Sequence, residues 1–332
     1  MKSLKRGSTL ITLMLLVFIT GLGLLVAKIQ MEASFYISNS GSRDLGYIYD
    51  RNGDIIFDDD AREGDYPDGY FKDFGNLIGD ASGQMTNTLV AKNLERLSNY
   101  SFTSGITRKG GKAAIYSTLD HKANEQVYSA FGDKEGCAIA YNYKTGEILV
   151  CVSRPSVDPL KGYDDLEEGS LLCKAFYKTI PGSTQKVATL ISATETMGMD
   201  KLMEKSYTCN GVYTNQTGLD IVCHNSYGHG TQNVAEAFAN SCNPFFAQLV
   251  EDPDWTLDDI ERCYTNLGIA VNDAEEKEFS IDGIISETAS TELTDKYEFN
   301  TQWGCIGQGK TVVSPCQMMM WQSAIANESG KS

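Results

Sequence analysis

Residues 8–27 are twenty residues almost without polarity, preceded by Lys2, Lys5 and Arg6 and closed by Lys28. At about 1.5 Å per residue, a helix of that length reaches about 30 Å, the thickness of a bilayer's hydrocarbon core. A cleaved signal peptide usually has a shorter apolar core and a small-x-small cleavage site, and no clear site of that kind follows here. Residues 1–28 are therefore expected to form a cytoplasmic tail and a single-pass anchor. The basic residues ahead of the run place the N-terminus in the cytoplasm and everything after Ala27 outside the membrane.

Charge narrows the partners. Lys and Arg number 28 against 44 Asp and Glu, a net charge of −16, and no basic patch with interleaved aromatics offsets it. Such a surface repels nucleic acid and anionic headgroups, so no nucleic-acid partner is expected. Hydrophobic residues make up 42% of the chain, enough for one sizeable core with smaller appendages. The nine cysteines cannot all pair within one molecule. Cys209 and Cys223 bracket a Gly/Asn/Thr-rich loop and are the first disulfide pair to test. Cys137, Cys151 and Cys242 read as small buried residues. Cys209, Cys223, His224 and His229 are zinc-ligand types, but a 13-residue gap followed by adjacent Cys-His is not a usual ligand spacing, and no metal is expected.

Residues 29–46 read as an extended stalk. Two apolar runs then flank Asn52-Gly53, a hairpin signal because both turn residues tolerate positive φ. Residues 29–111, with one helix expected over 88–97, read as a membrane-proximal module. A denser pattern starts at Lys112: a strand over 113–117, then a helix capped by Asp120 with Ala123, Val127 and Phe131 on one face. The runs 137–141 and 148–152 make a hairpin whose near-continuous apolarity predicts cover on both faces. Helices are expected over 183–197, 234–239, 244–250, 256–267 and 315–326. Pro244 and the acidic turn Asp258-Asp259 mark two starts, and Gly268 a stop.

Within Pro181-Gly182-Ser183-Thr184-Gln185-Lys186, residues three apart share a helix face, so Ser183 and Lys186 can meet. A serine hydroxyl needs a base, and a lysine serves only when neutral. Burial and the positive helix end both lower a lysine pKa. The backbone N–H of Ser183 is an oxyanion donor in the same place. An N-cap serine with an exposed lysine one turn on gives the same string, and S-x-x-K recurs by chance about once in a chain this size. Ser241-Cys242-Asn243 follows 58 residues after Ser183 (241 − 183). Asn243 ahead of Pro244 makes an ordinary N-cap, or else Ser241 and Asn243 reach the same cleft.

S-x-x-K followed by S-x-N resembles the signature of penicillin-binding proteins and related β-lactamases. Further segments resemble the transpeptidase type: Asp50-Arg51-Asn52-Gly53, Ser117-Thr118-Leu119-Asp120, Thr145-Gly146-Glu147-Ile148-Leu149, His229-Gly230 and Gly307-Gln308-Gly309 leading to Ser314-Pro315. The resemblance is closest to monofunctional, single-pass (class B) members. It implies an α/β (α+β) fold over residues 112–332, a penicillin-binding transpeptidase or serine β-lactamase-like antiparallel sheet flanked by helices. The implied activity is D,D-transpeptidation of peptidoglycan stem peptides without a cofactor. Ser183 would be the nucleophile, Lys186 its base and Ser241 a proton relay, with Asn243 binding the substrate amide. β-Lactams would be trapped at Ser183, and the expected partner is a membrane glycan polymerase of cell-wall synthesis.

The third element of that family, a K-T-G on a sheet strand, has no match. Lys310-Thr311-Val312 is the nearest string, but it lies in the segment ahead of the helix at Pro315. The chain is expected to be a piece of a longer one, with a natural pseudoenzyme as the alternative. Also open are a β-lactam-hydrolysing or sensing relative, although no Glu-x-x-Leu-Asn follows Ser241, and a non-catalytic division scaffold.

Overall fold

The apolar N-terminal run is helical in the computed structural model, which describes residues 2–31, 45–101, 105–106, 112–272, 274–275 and 277–328. Helix α1, Lys2–Met31, contains a span, Ile11–Ile29, of mean hydropathy 2.3 with none of it buried. That span is long and apolar enough to cross a bilayer. The Thr20 hydroxyl donates to the Leu16 carbonyl at 2.9 Å, so its polarity is satisfied within the helix. Most of the expected stalk, 32–44, lies outside the described residues, as do 329–332.

The chain divides into two units, Met1–Glu125 with Pro155–Leu171, and Gln126–Arg154 with Leu172–Ser332. The expected boundary at 111/112 is linear, whereas the packing places 112–125 and 155–171 in the first unit. Pairing explains the first of these. Strands β1 (Tyr47–Tyr49) and β2 (Ile55–Asp58) form the hairpin expected around Asn52-Gly53, and β3 (Ala114–Tyr116) joins β1 in parallel. Close approach explains the second, since a Cβ on Gly75 would lie 1.9 Å from the Val157 carbonyl oxygen. Nearby, Asn76 Nδ2 donates to Pro155 O at 3.2 Å.

Asp50 organises this unit. Wholly buried, its carboxylate accepts from the backbone N–H of Asn52 (2.7 Å), Asp54 (2.9 Å) and His121 (3.1 Å). Burial alone would raise its pKa, but these donors outweigh it and hold the group below the usual carboxylate value. The His121 bond ties the hairpin turn to the start of α2 (His121–Ala130), where Asp120 accepts from Ala123 N at 3.0 Å as expected. The single helix expected over 88–97 is two, Leu89–Lys92 and Leu94–Leu97. Between them Asn93 leaves helical geometry at φ −119°, and its side chain donates to Leu89 O at 2.9 Å, a local bond that competes with the helix ladder.

In the second unit, β4 (Gly136–Tyr141) and β5 (Ile148–Arg154) form the expected antiparallel hairpin. Four successive β5 residues, Val150 to Ser153, are buried, so both of its faces are covered, while β4 is only half-buried. A 3-10 turn, Gly182–Gln185, precedes α3 (Lys186–Met197), where one continuous helix from Ser183 is expected. Two short hairpins follow: β6 (Ser206–Cys209) pairs with β9 (Gly230–Asn233), and β7 (Val212–Thr214) with β8 (Asp220–Val222). Then come α4 (Val234–Ala239), α5 (Asn243–Val250), α6 (Leu257–Asn266), α7 (Phe299–Cys305) and α8 (Pro315–Ala326). Thr256 and Asp259 cap α6 reciprocally. Phe245, Phe246, Trp255 and Tyr264 are wholly buried at the centre, each worth roughly 1.5–3 kcal/mol of apolar burial.

Replacing Asp50 with Ala leaves the N–H groups of Asn52, Asp54 and the buried His121 without their acceptor and should cost about 2–4 kcal/mol of stability. Asp50→Asn should cost less. Urea unfolding of the two variants checks this, and an unchanged midpoint for Asp50→Ala would count against the role assigned to the carboxylate.

Candidate active site

The buried face of α3 begins with a charged residue type. Lys186, Thr189 and Ala193 follow helical spacing into the core, and Lys186 is 1% exposed. An amine buried this deeply must find polar partners or lose its proton. Its Nζ lies 2.9 Å from the Ser241 carbonyl oxygen, 2.8 Å from Asn243 Oδ1, 3.0 Å from Ser183 Oγ and 3.1 Å from Ser241 Oγ. The structure thus brings together all four residues singled out in the sequence, Ser183, Lys186, Ser241 and Asn243.

The chemistry of these partners divides them. The Ser241 carbonyl and Asn243 Oδ1 can only accept, and the two hydroxyls can accept or donate. The Asn243 amide orientation is fixed because Nδ2 donates to the Val222 carbonyl at 3.1 Å. A neutral amine has two N–H groups and one lone pair. Its donors are consumed by the two pure acceptors, which leaves the lone pair facing the hydroxyls. Burial pushes the Lys186 pKa down from 10.5 to about 8. The Phe246 ring, 5.4 Å from Nζ, closes the remaining side. Ser183 itself is exposed, so its hydroxyl is open to solvent.

Local geometry sets each group. Cys242, not Asn243, is the N-cap of α5; Asn243 is already helical, which frees its carboxamide to turn toward Lys186. The N-cap expectation for Asn243 is therefore off by one residue, because Pro244 sits comfortably at the second helical position as well as the first. Ser241 has φ +50°, a left-handed conformation uncommon for a residue with a side chain, held by its N–H bond to Phe238 O at 3.0 Å.

Two supports escaped the sequence reading. Gly307 accepts from Gly182 N at 2.9 Å and has φ +93°; a Cβ there would lie 1.8 Å from Gly182 O. The Gly307-Gln308-Gly309 string marked the segment but not this backbone contact, which only the fold creates. One turn below Lys186, Thr189 Oγ1 donates to Cys305 O at 2.6 Å and meets the Tyr264 hydroxyl at 2.9 Å, locking α3 to α6 and α7. Polar residues within an apolar helix were the available signal. Lys310 pairs with Glu292 at 3.2 Å and Val312 bridges to Ser290.

Residues 136–331 match the family model for the penicillin binding protein transpeptidase domain. The chain belongs to that family. Stage V sporulation protein D of Bacillus subtilis (strain 168) is 35% identical over 118 residues, which are 34% of this chain and 18% of that protein's length. Penicillin-binding protein A of Mycobacterium tuberculosis superposes with a TM-score of 0.70 at 20% identity, covering 86% of this chain and 71% of that one. The same protein as its penicillin G acyl-enzyme gives 0.67 at 19%, covering 86% and 71%. Pseudomonas aeruginosa PBP2, in complex with WCK 5153, gives 0.64 at 22%, covering 86% and 69%. The transpeptidase α/β fold is shared at these identities.

Gly307→Ala should push the Gly182 turn away from Ser183, because both the positive φ and the contact exclude a side chain. A loss of at least about 2 kcal/mol is expected in thermal unfolding. Wild-type stability in this variant would mean that the turn is held by other contacts.

Proposed function

We propose that the chain carries the acylation site of a peptidoglycan D,D-transpeptidase of the class B, membrane-anchored kind. The observation that carries this reading is the placement of Lys186 Nζ between Ser183 Oγ and the Ser241–Asn243 loop, in a family whose members are transpeptidases. Neutral Lys186 takes the Ser183 proton as Oγ attacks the penultimate D-Ala carbonyl carbon of a stem peptide. The carbonyl oxygen becomes an oxyanion, facing the Ser183 N–H. Collapse breaks the peptide bond, and the leaving D-Ala amine receives the proton through Ser241. Asn243 offers the amide contact to the donor peptide. An amine of a neighbouring strand then attacks the acyl-enzyme and releases Ser183. No residue of the 332 is assigned to the terminal carboxylate.

A β-lactam presents a strained amide to the same serine, and its opened ring keeps the leaving amine tethered, so the acyl-enzyme persists. The M. tuberculosis relative has been captured in that state with penicillin G, which supports the same expectation for Ser183. The reading places α1 across the cell membrane with the N-terminus in the cytoplasm, the site outside, and residues 29–111 as a membrane-proximal module meeting a glycan polymerase.

The pH profile follows from Lys186. Below a pKa of about 8 the amine is protonated and cannot accept the serine proton; above it the base is free. Penicillin acylation of the protein as its gene encodes it should fall about tenfold per pH unit below that value and level off above it. Ser183→Ala should abolish the adduct. A profile flat through this range, or an adduct that survives Ser183→Ala, would contradict the mechanism.

A further inference from the structure

Beside this site lies a second constellation that the transpeptidase chemistry does not use. Cys209 ends β6, Cys223 follows β8, His229 precedes β9, and Cys242 caps α5. Their sulfurs and a ring nitrogen all lie within 4.8 Å of one another, and Cys223 Sγ is 3.5 Å from His229 Nδ1. A tetrahedral zinc ion with bonds of about 2.3 Å to sulfur and about 2.0 Å to nitrogen has edges of roughly 3.8 Å between sulfurs and roughly 3.5 Å from sulfur to nitrogen. The three cysteines are 1%, 4% and 0% exposed, and none of the nine in the chain is in a disulfide.

Two further observations fit an ion here. The first is a buried N–H group left over beside the cluster. Gln232, on β9, is 3% exposed, and its Nε2 has no hydrogen-bond partner. A buried donor without a partner is what a metal-bound sulfur, a better acceptor than a thiol, would satisfy. The loops carrying the cysteines also meet backbone to backbone. A Cβ on Gly211 (φ +91°) would lie 2.3 Å from Ser226 O, and one on Gly228 (φ +79°) 2.3 Å from Cys209 O. His224 is exposed with Nδ1 4.0 Å from Cys223, so the fourth ligand comes from Cys242, 19 residues downstream of Cys223 (242 − 223), where spacing alone gives no hint.

We propose that Cys209, Cys223, His229 and Cys242 bind one Zn2+ that pins the 241–243 loop to the two hairpins beside it. The three thiols release their protons to solvent on binding. Four protein ligands leave no open position for water, so the ion is structural and not hydrolytic. Cys242 stands between Ser241 and Asn243, both of which contact Lys186, so the ion would hold Ser241 in its left-handed backbone. This effect on acylation rests on the proposed transpeptidase reading; the metal site does not.

The test begins with metal analysis of the purified full chain, with about one zinc ion per chain expected. Substitution with Co2+ should give the absorption of a tetrahedral thiolate-rich site. Cys242→Ser and His229→Asn should each lower the stoichiometry. Wild-type protein that stays metal-free after incubation with Zn2+ and desalting overturns the proposal without needing a variant to fold. So does an intact mass light by two hydrogens, with a Cys209–Cys223 cross-link. Chelation should slow penicillin acylation at least about tenfold, reversibly with Zn2+. Zinc bound in a protein that never acylates upholds the site and counts against the transpeptidase reading alone; an acylation rate indifferent to zinc removal overturns the pinning.

Discussion

A lysine amine buried at the first turn of a core helix is the constraint around which the second unit is arranged. Left alone, such a group would cost several kcal/mol as a charge or strand two donors as an amine. Two obligate acceptors, the Ser241 carbonyl and Asn243 Oδ1, satisfy the neutral form and leave its lone pair toward Ser183. What stabilises the buried side chain therefore also suits it to the role of base in the proposed mechanism. The same partners accommodate the ammonium, whose third proton goes to a hydroxyl, so the proton can arrive and leave without the site being rebuilt.

Holding four atoms around one nitrogen demands rigid neighbours. The serine turn is pressed against Gly307 through a contact with no room for a side chain. Below it, Thr189 ties α3 to Tyr264 and the Cys305 carbonyl. The opposite wall depends on a loop in which Ser241 is left-handed and Cys242 caps a helix without a side-chain hydrogen bond. Backbone bonds from Ser241 N to Phe238 O and from Cys242 N to Ala237 O hold that loop to the end of α4, and Cys242 belongs to the cysteine cluster beside it.

Much of this was legible because it is local. The S-x-x-K spacing places two side chains on one face of any helix, Asn52-Gly53 forces a turn, and Thr256 with Asp259 caps a helix in whatever fold surrounds it. Other features depend on residues far apart in sequence. No periodicity shows that β3 pairs in parallel with β1, or that 155–171 returns to the first unit. The cap of α5 was misread by one residue because Asn243 and Cys242 both precede Pro244 plausibly, and the choice is made by tertiary contacts. The run from Cys209 to His229 has no usual ligand spacing, and the fourth member of the cluster, Cys242, belongs to another motif, so spacing does not reveal it. Gly307 could be read as a turn residue, but the backbone it touches could not.

The central claim, that the residue at 186 works as an uncharged base, can be tested at that nitrogen itself. Carbon-13 labelling of the lysine side chains, with Lys186 assigned by its loss in Lys186→Arg, allows its ionisation to be followed by NMR. A midpoint near 8 that moves when Ser183 is acylated is predicted. A signal that stays protonated to the value of an ordinary exposed lysine, or that ignores the state of Ser183, would contradict the account.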